Sequence, residues 1–253
     1  MLSDNAKAMF AKLELPYPPV AMKFCFEAPA GVERCEKTLA LCQFVKEAQS
    51  GRVFYTTAEN DDCMGKLMLG MIDCPRLEGS GQAGYDFEVF KTPAPNARLY
   101  HMLPKLTRGA CNYVLFSPVS LCDFDPDLII CVADVRTADL LMRANSYISG
   151  DLWESKDSHV AGCAWQFVYP YISGKLNHTT VGMHHGQKVR KPYTEGSQII
   201  TIPYQKIDEI VRALSEMPWV PISMRTDEES KKELQRRIDH WAELEPALVL
   251  TQA

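Results

Sequence analysis

The sequence predicts an α+β fold in which two related α/β halves pack into one globular unit and are followed by C-terminal helices. Three observations carry this expectation. Apolar runs such as VAMKFCF (20–26) and LIICVAD (128–134) alternate with segments of helical spacing. The order strand, helix closed by glycine, polar segment, cysteine and apolar segment recurs about 100 residues along the chain. Two long amphipathic segments, 204–217 and 228–245, end it. The expected division is therefore 1–120 for the first half and 121–253 for the second half with the C-terminal helices.

Each element has its own signal. Residues 6–13 keep helical spacing, and the proline-rich LPYPP stops them. VAMKFCF is a buried strand. A loop with Pro29 and Gly31 leads to a helix over 36–49, with Leu39, Cys42, Phe44, Val45 and Ala48 at helical spacing and Gly51 closing it. VFYTT (53–57) is a strand by its β-branched and aromatic content. TPAPN is a turn, RLYHMLPKL a short helix interrupted by Pro104, and CNYVLFSP a strand. In the second half LIICVAD is a buried strand, and 137–150 is a helix ending at Gly150. KLNHTTVGM (175–183) and SQIITIP (197–203) are strands flanking the segment GMHHGQKVRKPYTEGS. If the halves are related, Cys63 and Cys163 take matching places.

Composition excludes several classes. With 253 residues, 46% hydrophobic and 23% charged, the chain can bury a large core. A net charge of −5 gives no basic footprint for nucleic acid and a poor match to anionic membranes. No apolar run approaches the ~18 residues of a membrane span. The first residues lack the apolar block of a signal peptide, so a cytoplasmic setting is expected. Nine cysteines, an odd number, argue against a disulfide framework and leave thiols, metal ligands or core residues. Cys25 and Cys131 sit inside apolar strands and read as core.

Several segments carry a family resemblance. They are PPVAMKF, C-x-F-V-K-E-A-x-x-G beginning at Cys42, T-A-E-N-x-x-C-x-G containing Cys63, YVLFSP, DPDLIICVAD and the stretch from TVGMHHGQKV to EIVRAL. In this order they resemble the DUF169 family, uncharacterised cysteine-containing proteins of archaea and anaerobic bacteria. The resemblance spans roughly residues 10 to 220. It implies a cytoplasmic setting, an anaerobic host, and cysteines at the positions of Cys42 and Cys63. One departure stands out. The family pattern ends the strand before the last loop in Gly-Cys, whereas here Gly182 is followed by Met183 and His184. Any activity that needs a thiol there is put in question.

The residues admit several chemistries. Cys35, Cys42, Cys63 and Cys74 are candidate ligands for an iron–sulfur cluster or another metal, with Cys74 followed by Pro75. No CxxC supports them, and plain core thiols are the competing reading. His159 and Cys163, four apart, would share a helix face as secondary candidates. Adjacent His184 and His185 would face opposite ways in a strand. His184, His185, Lys188 and Arg190, between glycines and cations, form a candidate anion pocket or a solvated basic hairpin. A helix start near Cys63, capped by Asp61 or Asp62, would lower its thiol pKa, but Glu59, Asp61 and Asp62 would raise it. A metal would resolve that conflict by selecting the thiolate.

Two functions lead, with a third behind them. One is a redox-linked or cofactor-handling protein with a cysteine-ligated iron–sulfur or other metal centre and a redox partner protein. The other is a non-enzymatic binding module for a small anionic ligand or partner protein. A thiol enzyme using Cys63 or Cys163 is a third. There is no phosphate loop, dinucleotide fingerprint or nucleophile elbow. A cysteine-bearing core and a charged last helix would suit a homodimer.

Overall fold

The computed structural model describes residues 1–248; the last five residues of the expected second half lie outside the described residues. Helix α1 (Asp4–Lys12) starts at Ser3, whose hydroxyl accepts from the Ala6 N–H. Strand β1 (Val20–Cys25) follows, then α2 (Leu41–Ala48) and β2 (Phe54–Thr56). Four short helices come next: α3 (Gly65–Met68), α4 (Pro75–Ser80), α5 (Gln82–Asp86) and α6 (Pro93–Met102). Then come β3 (Tyr113–Pro118), β4 (Leu128–Ala133) and α7 (Val135–Tyr147). A π-turn over Ala164–Val168 runs directly into α8 (Tyr169–Ser173). The series closes with β5 (Asn177–Thr180), α9 (His185–Arg190), β6 (Gln198–Pro203), α10 (Tyr204–Glu216) and α11 (Glu228–Leu248). This is the expected α+β class with C-terminal helices.

Three local expectations are corrected. TPAPN is not a turn: Thr92 precedes α6 and Pro93 opens it, because a proline in the first helical turn forfeits no hydrogen bond. The two histidines do not alternate across a strand; His184 caps α9 and His185 begins it. His159 does not share a helix face with Cys163, because it lies in the loop before that helix.

All six strands form one antiparallel sheet in the order β2-β3-β1-β4-β6-β5. Read outward from its centre, the order is the same both ways: first, third and second strand of each half. The registers match as well. Val20 lies opposite Pro118, and Leu128 lies opposite Pro203. Phe54 faces Phe116, two residues before Pro118; Asn177 faces Thr201, two before Pro203. FYTT (54–57) and NHTT (177–180) thus hold matching positions at opposite edges. In the order of elements, though not residue for residue, Cys42 in the helix before β2 has the place of Cys163, at the start of the helix before β5, and Cys63 after β2 has the place of His184, after β5. The expected match of Cys63 with Cys163 fails because one follows its edge strand and the other precedes it.

Both faces of the sheet are covered. Val20, Met22, Val114, Phe116, Leu128 and Ile130 join a core with Phe44, Phe54 and Phe167. The Phe54 and Phe116 rings stack at 5.4 Å, with Phe44 about 6 Å from each. Each fully buried ring contributes on the order of 2–3 kcal/mol by burial. Alternate residues, including Ala21, Ile129, Cys131 and Ile200, point the other way and are also buried. Helix α7 packs on β4 and β6. Two-sided burial explains why LIICVA is apolar throughout rather than alternating. The chain forms two compact units, Met1–Ser215 and Glu216–Ala253. In the second, Glu233 of α11 pairs with Arg236 and Arg237. Among the described residues no helix is long and apolar enough to cross a membrane.

Candidate functional site

The polar residues before Cys63 are a fastener. Asn60 donates from Nδ2 to the carbonyls of Cys35 (2.7 Å) and Lys37 (3.2 Å), and its Oδ1 accepts from the Thr57 N–H and Arg34 Nε. The Leu39 N–H donates to Asn60 O, and the Asp62 N–H to Leu39 O. These bonds hold the loop after β2 against the segment entering α2, bringing Cys42 and Cys63 to one wall. Gly65 is required by close approach: a Cβ there would lie 2.4 Å from Asp61 Oδ2 and 2.7 Å from Leu41 Cβ. The second half uses an equivalent tie. The His185 N–H donates to His159 O, and His159 Nδ1 lies 3.1 Å from Met183 O. Gly162 packs flat on the His184 ring, where a Cβ would come within 2.6 Å.

The two tied segments of each half enclose a cavity of about 280 Å³. Cys42, Cys63, Met64 and Cys163 line it together with Tyr100, Asn96, Phe87, His184 and His185. Cys42, Cys63 and Cys163 are each partly buried. Burial pushes the Cys42 thiol up to about 12, with the Cys63 and Asp61 charges adding to it. Burial also raises Cys63, and raises Cys163 well above the usual thiol range. Tyr100 is pushed up to about 12 by burial. At neutral pH these groups are therefore neutral thiols and a protonated phenol. Asp61, also buried, rises to about 6, although its Oδ1 accepts from the Cys63 N–H at 2.8 Å.

Two polar residues lining the cavity have partners within the chain. Arg190 donates to Asp62 Oδ2 at 2.7 Å, a bond that joins the two halves. His184, 1% exposed, places Nε2 2.5 Å from Asp157 Oδ1 and Nδ1 3.1 Å from Gln187 Oε1. Gln187 donates to Gln166 Oε1, and Gln166 donates to Thr179 Oγ1, both at 3.0 Å. This buried chain holds the imidazole in one orientation.

Of the four cysteines expected to hold a metal, Cys42 and Cys63 line the same cavity as Cys163. Cys35 is wholly buried in the core, and Cys74 precedes α4, where Cys-Pro is a helix start; neither lines the cavity. Among the described residues no three His, Cys, Asp or Glu side chains come together as a metal ion requires. His184, His185 and Arg190 line the cavity, whereas Lys188 is exposed and does not. Asn96, Tyr100, Phe87, Gln166 and Gln187 were not expected at a site. Asn96 lay within an apparent turn, and the others carry no local signal that separates them from core or surface.

No curated protein and no solved structure matches this chain. A family model described as DUF169, uncharacterised ArCR, matches residues 8–213, a span that includes all six strands and every segment lining the cavity, and the chain belongs to that family.

Proposed function

We propose that this protein is a cofactor-handling protein that holds a small organic molecule in the cavity between its two halves, against the wall formed by Cys42, Cys63 and Cys163. The observation that supports it most is the convergence of these three thiols, from three separate segments, on one cavity of about 280 Å³. That is close to the lower end of small-molecule pockets, at roughly 300 Å³. Thiols kept neutral by burial are poor nucleophiles, which weighs against a thiol enzyme. As neutral groups they are soft, polarisable contacts. The reading sets the chain in a reducing cytoplasm, where its cysteines stay as thiols.

Native mass spectrometry of protein isolated anaerobically tests this reading. The expected result is a mass above that of the chain, lost on unfolding, together with slower alkylation of Cys63 while the group is bound. A bare chain mass, with Cys63 alkylated at one rate throughout, would reject it. Stoichiometric iron or another metal would replace the organic molecule by a thiolate-held centre.

A further inference from the structure

Helix α9 gives one face to the cavity. Gly186, Val189 and Arg190 follow each other at helical spacing, and all three line it. A Cβ added at Gly186 would meet nothing within 4 Å. Open space therefore lies on the face that carries Arg190, one helical turn away. Among the described residues lining the cavity there is no aspartate or glutamate, and Arg190 is the single arginine or lysine. His184 is bonded through both ring nitrogens, to Asp157 and Gln187, so it has no donor left to offer.

Arg190 is held but not saturated. A guanidinium carries five N–H donors. Nη1 of Arg190 donates to Asp62 Oδ2 at 2.7 Å and Nη2 to Asp62 O at 3.4 Å, which leaves three without a partner among the described residues. Asp62 itself does not line the cavity. The side chains of Arg190 and Asp62 are 29% and 36% exposed, and an ion pair so open to water is a weak one. An incoming acidic group can therefore share Arg190 with Asp62, or release Asp62 to solvent, at little cost. The planar guanidinium fork matches the oxygens of a carboxylate and of a phosphate alike.

We infer that the molecule held in the cavity carries an acidic group, a carboxylate or a phosphate, which lies beside Gly186 and is bound by Arg190. This deepens the proposed function and rests on it: the organic molecule gains a charge and a point of attachment.

Calorimetric titration of dialysed full-length protein compares probes of one shape and different charge: hexanoate with hexanamide, and benzoate with benzamide. Each acid should bind at least about tenfold tighter than its amide, the worth of a charge-assisted hydrogen bond. Two variants separate recognition from support of the fold, because both remove the ion pair between residues 62 and 190. In Arg190→Gln the acids should weaken about tenfold, to the level of the amides. In Asp62→Asn, which frees Arg190 of its counter-ion, they should tighten about threefold. Phenyl phosphate bound tighter than benzoate would assign a phosphate, and the reverse a carboxylate. Amides that bind as tightly as the acids, acids that bind Arg190→Gln unchanged, weaker binding in both variants, or binding of no probe would each overturn the inference. The mass measurement above judges the cofactor-handling reading separately: a bound group without an acidic function would uphold that reading and overturn this inference.

Discussion

At the scale of single residues, the site is governed by burial more than by neighbouring charge. Cys63 was expected to be pulled between a helix start that lowers its pKa and carboxylates that raise it; desolvation outweighs both and raises it. The same desolvation acts on Asp61 and has a measurable consequence. Its folded pKa, about 6, lies above the ordinary 3.8, so the native state binds this proton more tightly than the unfolded chain does. Its contribution favours folding below pH 3.8 and is lost as the pH rises through about 6. The loss is on the order of 2–3 kcal/mol. Asp61→Asn keeps an oxygen to accept from the Cys63 N–H and removes the titration. In urea unfolding at pH 4 and pH 7, the wild type should lose stability relative to the variant by about that amount. Parallel pH profiles would show that Asp61 ionises normally.

At the scale of elements, caps and turns decide where the site's segments begin. Asp134 caps α7 by accepting the Thr137 N–H at 2.7 Å, and that hydrogen bond holds the carboxyl below its usual range. Asp134→Ala should destabilise the protein by about 1 kcal/mol in urea unfolding at neutral pH, and an unchanged midpoint would show that α7 does not depend on this cap. Asp134 read as the end of the preceding strand and the helix as starting at 137, so this cap was missed. The starts of α6 and α9 were missed as well. Thr92-Pro93 and His184-His185 are compatible with turn or strand, and only packing against neighbouring segments makes them helices. The short ties from Asn60 to Cys35 and from His185 to His159 likewise join residues whose contact no local pattern announces.

At the scale of the whole molecule, the two halves share one sheet through β1 and β4, opposed at Val20–Ile130, Ala21–Ile129 and Met22–Leu128. Separating the chain between residues 120 and 121 would unpair both central strands and expose apolar residues on each. Fragments 1–120 and 121–253 should each lack cooperative thermal unfolding when expressed alone and regain it when mixed. Cooperative unfolding of either fragment by itself would contradict this, and calorimetry decides. The sequence by itself determined the α+β class, the six strands and most helices, and a repeated order of elements. Those properties follow from local periodicity, caps and breakers, which act over a few residues. The tertiary structure decided which cysteines line one cavity, that Cys42 rather than Cys63 has the place of Cys163 in the order of elements, and that Asn96 lines the same cavity. Those outcomes depend on strand register and on contacts between segments as far as 128 residues apart, where burial sets both proximity and protonation. The polar run before Cys63 thus serves as a fastener that delivers one thiol to a cavity completed by the other half.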